Sequence, residues 1–239
     1  MVLVDSHCHL FEVKNYQLPD DIIPVVAGHS HGSNKKAAEL ARSKGYPFTL
    51  GIAPQTAIKQ DLSQLDEWVS FIRENKPNAI GEVGLDYKWA RTMEDVEKQR
   101  LVFRRMIALA EEMELPLVIH SRNNPSENEV PRDAMEEIMG MVRGKRALMH
   151  FFSGTAEQAG RIVADGGYLS IIHLHSKERR KVINSITIDK LLVESDAPYV
   201  GRTPEAVREA ASYIAEIKGI SLEQAAAKTT ENAKMFFGF

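Results

Sequence analysis

Cysteine is almost missing from this chain: Cys8 stands alone in 239 residues, which excludes an intramolecular disulfide and suits a reducing compartment. No window approaches the roughly 20 apolar residues of a membrane span. The opening MVLVDSHCHL has neither the basic start nor the apolar stretch of a secretory signal. A cytoplasmic protein with no membrane partner is the expectation. Basic excess is lacking too: the formal charge is −3, so composition does not itself point to nucleic acid, although a local basic cleft stays open. No linker, low-complexity run or internal repeat interrupts the chain, and a single domain over residues 1–239 is expected.

What is present is regular alternation. Short apolar, largely β-branched runs recur at Val2–Val4, Ile22–Val26, Phe48–Ile52, Ala79–Val83, Leu115–Ile119, Ala147–Met149, Tyr168–Ile172 and Leu191–Val193. Segments of helical period separate most of them, among them Lys35–Ser43, Leu62–Arg73 and Asp95–Met113. Ser33, Thr155 and Ser221 suit helix N-caps, and Ser221 with Gln224 fits a capping box. Strand–helix alternation implies a parallel sheet, because parallel strands need crossovers that helices supply. Eight units predict a (β/α)8 TIM-type barrel. A doubly wound open sheet is the alternative, but no G-x-G-x-x-G follows the first run. Ser221–Phe237 has no strand after it and is expected as an extra C-terminal helix on the barrel's outside.

All eight histidines fall at or just beyond the C-terminal end of an expected strand: His7, His9, His29, His31, His120, His150, His173 and His175. In a barrel those ends form one face, where active sites sit. Alternation puts Asp5, His7 and His9 on one side of the first strand, with Ser6 and Cys8 on the other. Imidazoles and carboxylates together hold divalent metals, and the carboxylates stand at equivalent positions: Glu82 in AIGEVGLDY and Asp196 in LLVESDAPY. One H-x-H is a weak signal, and His120, His150 or Glu82 taken singly reads as an ordinary strand-end residue. The constellation is what points to a metal site.

The motifs DSHCH, GEVGLDY, IHSR, HFFSG, ESDAPY and TTENAKMFF, in this order over residues 4–238, resemble the TatD-like metal-dependent hydrolases of the amidohydrolase superfamily. The resemblance implies a TIM-type barrel, two divalent metals and hydrolysis, in several members DNA cleavage from the 3′ end. It makes His7 and His9 ligands of one metal, Glu82 the bridge, His120 and His150 ligands of the second, and Asp196 the ligand that orients or deprotonates the attacking water. Related amidohydrolases often bridge with a carboxylated lysine; a glutamate marks the TatD branch. Two metals about 4 Å apart would polarise a phosphoryl group and lower the pKa of a water. The ligand set accepts Zn, Mn, Fe or Ni, with Mg at a carboxylate-rich position.

Substrate contacts are expected from Arg122, whose guanidinium fork matches phosphate oxygens, and from Asp86, Tyr87, His173 and Tyr199. Trp89, Phe151 and Phe152 are further aromatics near the expected mouth, with core packing the stronger reading for the two phenylalanines. The chain also departs from the family. GIAPQ puts Ala53 and Gln55 where members carry the histidines of G-[IV]-H-P-H, the segment VGRTPEAV lacks a longer basic R-N-x-P loop, and NNPSENEVPRDAM predicts a small extra loop over the mouth. A DNA phosphodiesterase acting on single strands or oligonucleotides is thus the leading reading. A small-molecule hydrolase of an ester, lactone, amide or phosphomonoester is the alternative, and a non-catalytic metal-stabilised binding module comes last. No protein partner is evident.

Overall fold

A computed structural model describes all 239 residues. Eight parallel strands pair in chain order: β1 (Leu3–Cys8), β2 (Ile22–Ala27), β3 (Phe48–Leu50), β4 (Ala79–Asp86), β5 (Leu117–Arg122), β6 (Ala147–Met149), β7 (Tyr168–Ile171) and β8 (Leu191–Val193). Side chains and loops link the β8 end back to β1: Ser6 Oγ donates to Val193 O at 2.9 Å, and Asp196 N donates to His7 O at 3.0 Å. The result is a nearly closed (β/α)8 barrel, as the alternation predicts.

Around it run α1 (His31–Lys44), α2 (Pro54–Lys59), α3 (Leu65–Asn75), α4 (Met93–Glu112), α5 (Ala134–Met141), α6 (Ala156–Ala164), α7 (Lys177–Ser185), α8 (Val207–Lys218) and α9 (Leu222–Phe237). Leu65, Trp68, Val69 and Ile72 form the buried stripe of α3. Thr155 and Ser221 cap α6 and α9 as expected, Ser221 through the predicted box with Gln224 and Thr155 through a further one with Gln158. Ser33 does not cap α1. Ser30 does, and Ser33 is the N3 member of its box. The helix therefore starts earlier than expected, and His31 is its first residue, not a strand-end residue.

Alternation fixes the barrel interior. Val118 and His120, Leu148 and His150, and Leu192 and Glu194 lie two apart on their strands and share the inward face. The first of each pair joins Val4, Val25 and Ala79 in an apolar floor near the N-terminal ends of the strands. Helix α9 runs along the barrel wall, and its last turn closes this floor with the buried Phe236 and Phe237. Asn78 Nδ2 donates to Phe237 O at 3.1 Å and holds the closure. The terminal helix is thus a plug as well as an outer layer.

Candidate metal centre

Two strands carrying candidate ligands are irregular where the ligands occur. Against β2, three steps of β1 from Asp5 to Cys8 match two, and against β5, three steps of β4 from Ile80 to Val83 match two. Each is a bulge, which re-aims a side chain: His7 lies in the first and Glu82 in the second. The bulge also breaks the simple alternation of β1. Asp5 leaves the company of His7 and His9 and accepts from Ser195 N at 2.9 Å and Ser195 Oγ at 2.5 Å. Burial pushes the Asp5 carboxyl up to about 8. Beyond the bulge, Gly84 takes φ +137°, and a Cβ there would stand 2.0 Å from His120 O. Glycine is what lets β4 and β5 bring Glu82 and His120 together.

Glu82 stands at the centre with its oxygens divided. Oε2 lies 3.7 Å from His7 Nε2 and 3.9 Å from His9 Nε2, while Oε1 lies 2.9 Å from His120 Nδ1 and 3.7 Å from His150 Nε2. Asp196 Oδ1 joins the first group, 3.9 Å from His7 Nε2 and 3.6 Å from His9 Nε2. Its backbone is left-handed at φ 48°. The candidate ligands His7, His9, Glu82, His120, His150 and Asp196 are therefore brought together as two groups that share one carboxylate.

The donor chemistry fits divalent metal. His7 is fully buried and both its ring nitrogens lack a hydrogen-bond partner, an arrangement that is costly unless something coordinates them. His9 Nδ1 bonds to Ala27 O at 2.8 Å, leaving Nε2 to face the carboxylates. His120 Nε2 meets Asp86 Oδ2 at 2.8 Å and His150 Nδ1 meets Glu194 Oε1 at 3.2 Å, so each turns its other nitrogen toward Glu82. Carboxylates behind ligating imidazoles fix tautomer and orientation.

Charge does not follow that division: burial opposes protonation of His9, yet Asp196 and Glu82 lift it. Burial pulls His120 down, but Asp86 and Glu82 outweigh it and lift the ring to about 9. Burial likewise opposes protonation of His150, and Glu194 and Glu82 reverse it, holding the ring well above its ordinary value. His7 goes the other way: burial and the neighbouring His150 and His9 hold it well below. Glu82 stays ionised because His120 and His150 overcome the burial that would raise it.

The expected substrate contacts fare unevenly. Arg122 ends β5 and is exposed on the rim of a cavity of about 710 Å³ at the mouth. Tyr199, 58% exposed, also lines it, stacks edge-on to His9 at 4.9 Å and donates to Glu12 Oε2 at 2.6 Å. Trp89 lines it too, with Lys59 Nζ 4.2 Å from its ring centroid.

Asp86 and Tyr87 are corrected. Both are fully buried, so neither meets a substrate in the mouth. Asp86 stands behind His120, and the Tyr87 hydroxyl points outward to Glu137 of α5. His173 lies on the loop after β7 and does not line the cavity, and His175 stacks on Tyr213 at 3.7 Å. His29 does line it, beside His9 and Glu12, whereas His31 stacks on Trp68. Phe152 is core, and Phe151 reaches the cavity.

The loop after IHSR contributes no residue to the lining of the mouth cavity. Asn124 closes it on itself by accepting from Ser126 and donating to Val130 O, and Glu129 accepts from Met93 N at the head of α4. The residue missed by sequence reading is Glu194. It is fully buried and also accepts from Phe151 N at 2.6 Å and from Ser170 Oγ. Period-two alternation from Leu192 was the signal that would have turned it inward.

A sequence model described as TatD related DNase matches residues 4–238. The chain is 31% identical to the "uncharacterized metal-dependent hydrolase YabD" of Bacillus subtilis, over 99% of each. It is also 31% identical to human "deoxyribonuclease TATDN3", over 98% of this chain and 94% of that one. Among solved structures, a hydrolase TatD family protein from Entamoeba histolytica superposes with TM-score 0.83 at 21% identity, covering 98% and 97% of the two chains.

Proposed function

Because the chain belongs to the TatD-related family of metal-dependent hydrolases, we propose that it is a DNA phosphodiesterase of the 3′-exonuclease type working with two divalent ions. The observation that carries this reading is the divided carboxylate of Glu82, with Oε2 toward His7 and His9 and Oε1 toward His120 and His150. Asp196 would complete the ligands of an ion held by His7 and His9. Such ions, when bound, polarise a phosphoryl group and acidify a water.

The chain's own residues supply the rest. Asp196, beside His9 and open to the cavity, takes the proton of the attacking water. The water oxygen bonds to phosphorus, and the P–O3′ bond breaks with its electron pair leaving on O3′, which solvent protonates. Arg122 and Lys59 give the rim positive charge, and Trp89 and Tyr199 offer exposed rings on which bases stack. The loop 123–131 adds no residue to the cavity lining, which favours a strand over a ligand enclosed by that loop. The lone buried thiol of Cys8 supports a cytoplasmic setting.

A small-molecule ester, lactone or phosphomonoester is the second reading. A cavity of about 710 Å³ lies within the size range of small-ligand pockets, and Ala53 and Gln55 replace the two histidines of the family motif. Turnover of a 3′-labelled single-stranded oligonucleotide decides between them, comparing wild type with Asp196→Asn across Mg2+, Mn2+, Co2+ and Zn2+. The DNA reading expects cleavage by wild type and loss of at least about 100-fold in the variant, in line with removal of a general base. No cleavage by metal-loaded wild type removes it and leaves the small-molecule panel.

A further inference from the structure

Several arginines of the chain face carboxylates; Arg180, for instance, pairs with Glu216 at 2.7 Å. Its neighbour Arg179 does not. Arg179 is half-buried in the first turn of α7, with its Nε buried and without any acceptor. One terminal nitrogen donates to Leu174 O, on the loop after β7, and the guanidinium carbon stands 5.9 Å from the Phe151 ring. Withdrawing a guanidinium from water without an anion is costly, and burial pulls this group's pKa down. On the same loop, His173 Nδ1 is also buried without a partner. Two nitrogens thus lack partners on one short segment of the rim.

Phe151 connects this segment to the metal centre. It follows His150, lines the mouth cavity and takes a left-handed backbone at φ 46°, held there by its N–H donating to Glu194 Oε1 at 2.6 Å. A phenylalanine at positive φ is strained, and such strain persists where surroundings over-determine it. Around the rim, Arg122 ends β5, His150 and Phe151 follow β6, and Arg179 follows β7. Along the strand order, Arg122 and Arg179 thus stand on either side of the His150–Phe151 segment.

We propose that Arg179, which reaches the mouth beside Phe151, forms an anion subsite on its β7 side, which holds the substrate phosphate next to the one at the metal centre. The subsite rests on the phosphodiester reading above and gives it an extended substrate: a strand of several nucleotides. Its ligand is a phosphodiester oxygen pair, matched to the guanidinium fork.

The test is binding of a fluorescent six-nucleotide oligo-dT to metal-loaded Asp196→Asn protein between 50 and 200 mM salt, as a function of a second substitution. Arg179→Gln is expected to weaken binding about tenfold and to make the slope of log Kd against log salt shallower by about 0.7, one phosphate contact on a single strand. Arg179→Lys should keep the slope, and Arg180→Gln should keep both. Equal Kd and slope in Arg179→Gln, or an equal loss in Arg180→Gln, overturns the subsite while leaving the phosphodiester reading intact. Should the oligonucleotide not bind at all, the DNA reading fails, and inorganic phosphate then decides the subsite. A phosphate-induced rise in Tm that is smaller in Arg179→Gln supports it, and an equal rise overturns it.

Discussion

The two ends of this barrel are built from the same strands and obey opposite rules. At the floor, Val118, Leu148 and Leu192 meet Phe236 and Phe237 in an apolar plug. Two residues further along, the same strands present His120, His150 and Glu194 to a buried cluster of imidazoles and carboxylates. One end gains stability from burial; the other accepts bulges, left-handed residues and unpaired nitrogens. Such a split is what separates stability from chemistry in barrels of this kind. Damage at the floor should therefore change the amount of folded protein, and damage at the mouth should change metal and turnover.

The largest expected effect lies at the floor. Phe236 is 1% exposed and packs edge-on to Tyr168 and Phe237. Phe236→Ala should cost about 3–5 kcal/mol, read as a lower denaturant midpoint at constant slope. The metal content of the remaining folded protein should match wild type. Loss of metal in proportion to stability would break the separation and make the plug part of the site.

A smaller effect belongs to Glu194. It holds His150 from behind while also accepting from Phe151 N and Ser170 Oγ, so Glu194→Gln should lower metal affinity by about 10–100-fold. Proton linkage adds a second readout. With His120 lifted to about 9, its ring carries a proton at neutral pH in the metal-free protein, and His150 is shifted in the same direction. Metal must displace such protons, so affinity should climb as pH rises toward 9, by up to about tenfold per unit for each proton released. Glu194 is the leading charge that protonates His150, so Glu194→Gln should flatten that climb. A curve of unchanged steepness would place the proton elsewhere.

How much of this was legible in the sequence follows from what each residue depends on. The eight strands were visible because β-branched runs and helical periods are local, and α9 was visible through Ser221 and Gln224. The candidate ligands were visible as a set, since strand ends converge on one face. What stayed hidden depended on register. Asp5 reads as a partner of His7 until the bulge in β1 sends it to Ser195. Asp86 and Tyr87 read as mouth residues because they follow GEVGL, yet β4 continues through Asp86, which stays inside behind His120 while Tyr87 turns outward to Glu137. The role of α9 as a plug was not legible either, because no local pattern says which end of a barrel a terminal helix reaches.

The smallest effect concerns Gln55, where this chain has lost a histidine of the family motif. Its Nε2 donates to Asp86 Oδ2 at 2.7 Å, the same oxygen that faces His120 Nε2 at 2.8 Å. Gln55 also lines the cavity, so two roles compete: steadying His120 through Asp86, or touching substrate. A hydrogen bond to a carboxylate contributes about 1.5–3 kcal/mol, of which only the part passed through Asp86 to His120 reaches the metal, so Gln55→Ala should weaken metal binding by several-fold and leave KM for the oligonucleotide near wild type. Asp86→Asn should move metal affinity in the same direction and by more, because Asp86 also anchors Trp89 N at 3.1 Å. If Gln55→Ala instead raises KM while metal titrations overlay wild type, the glutamine belongs to the substrate side of the mouth, and Asp86 alone positions His120.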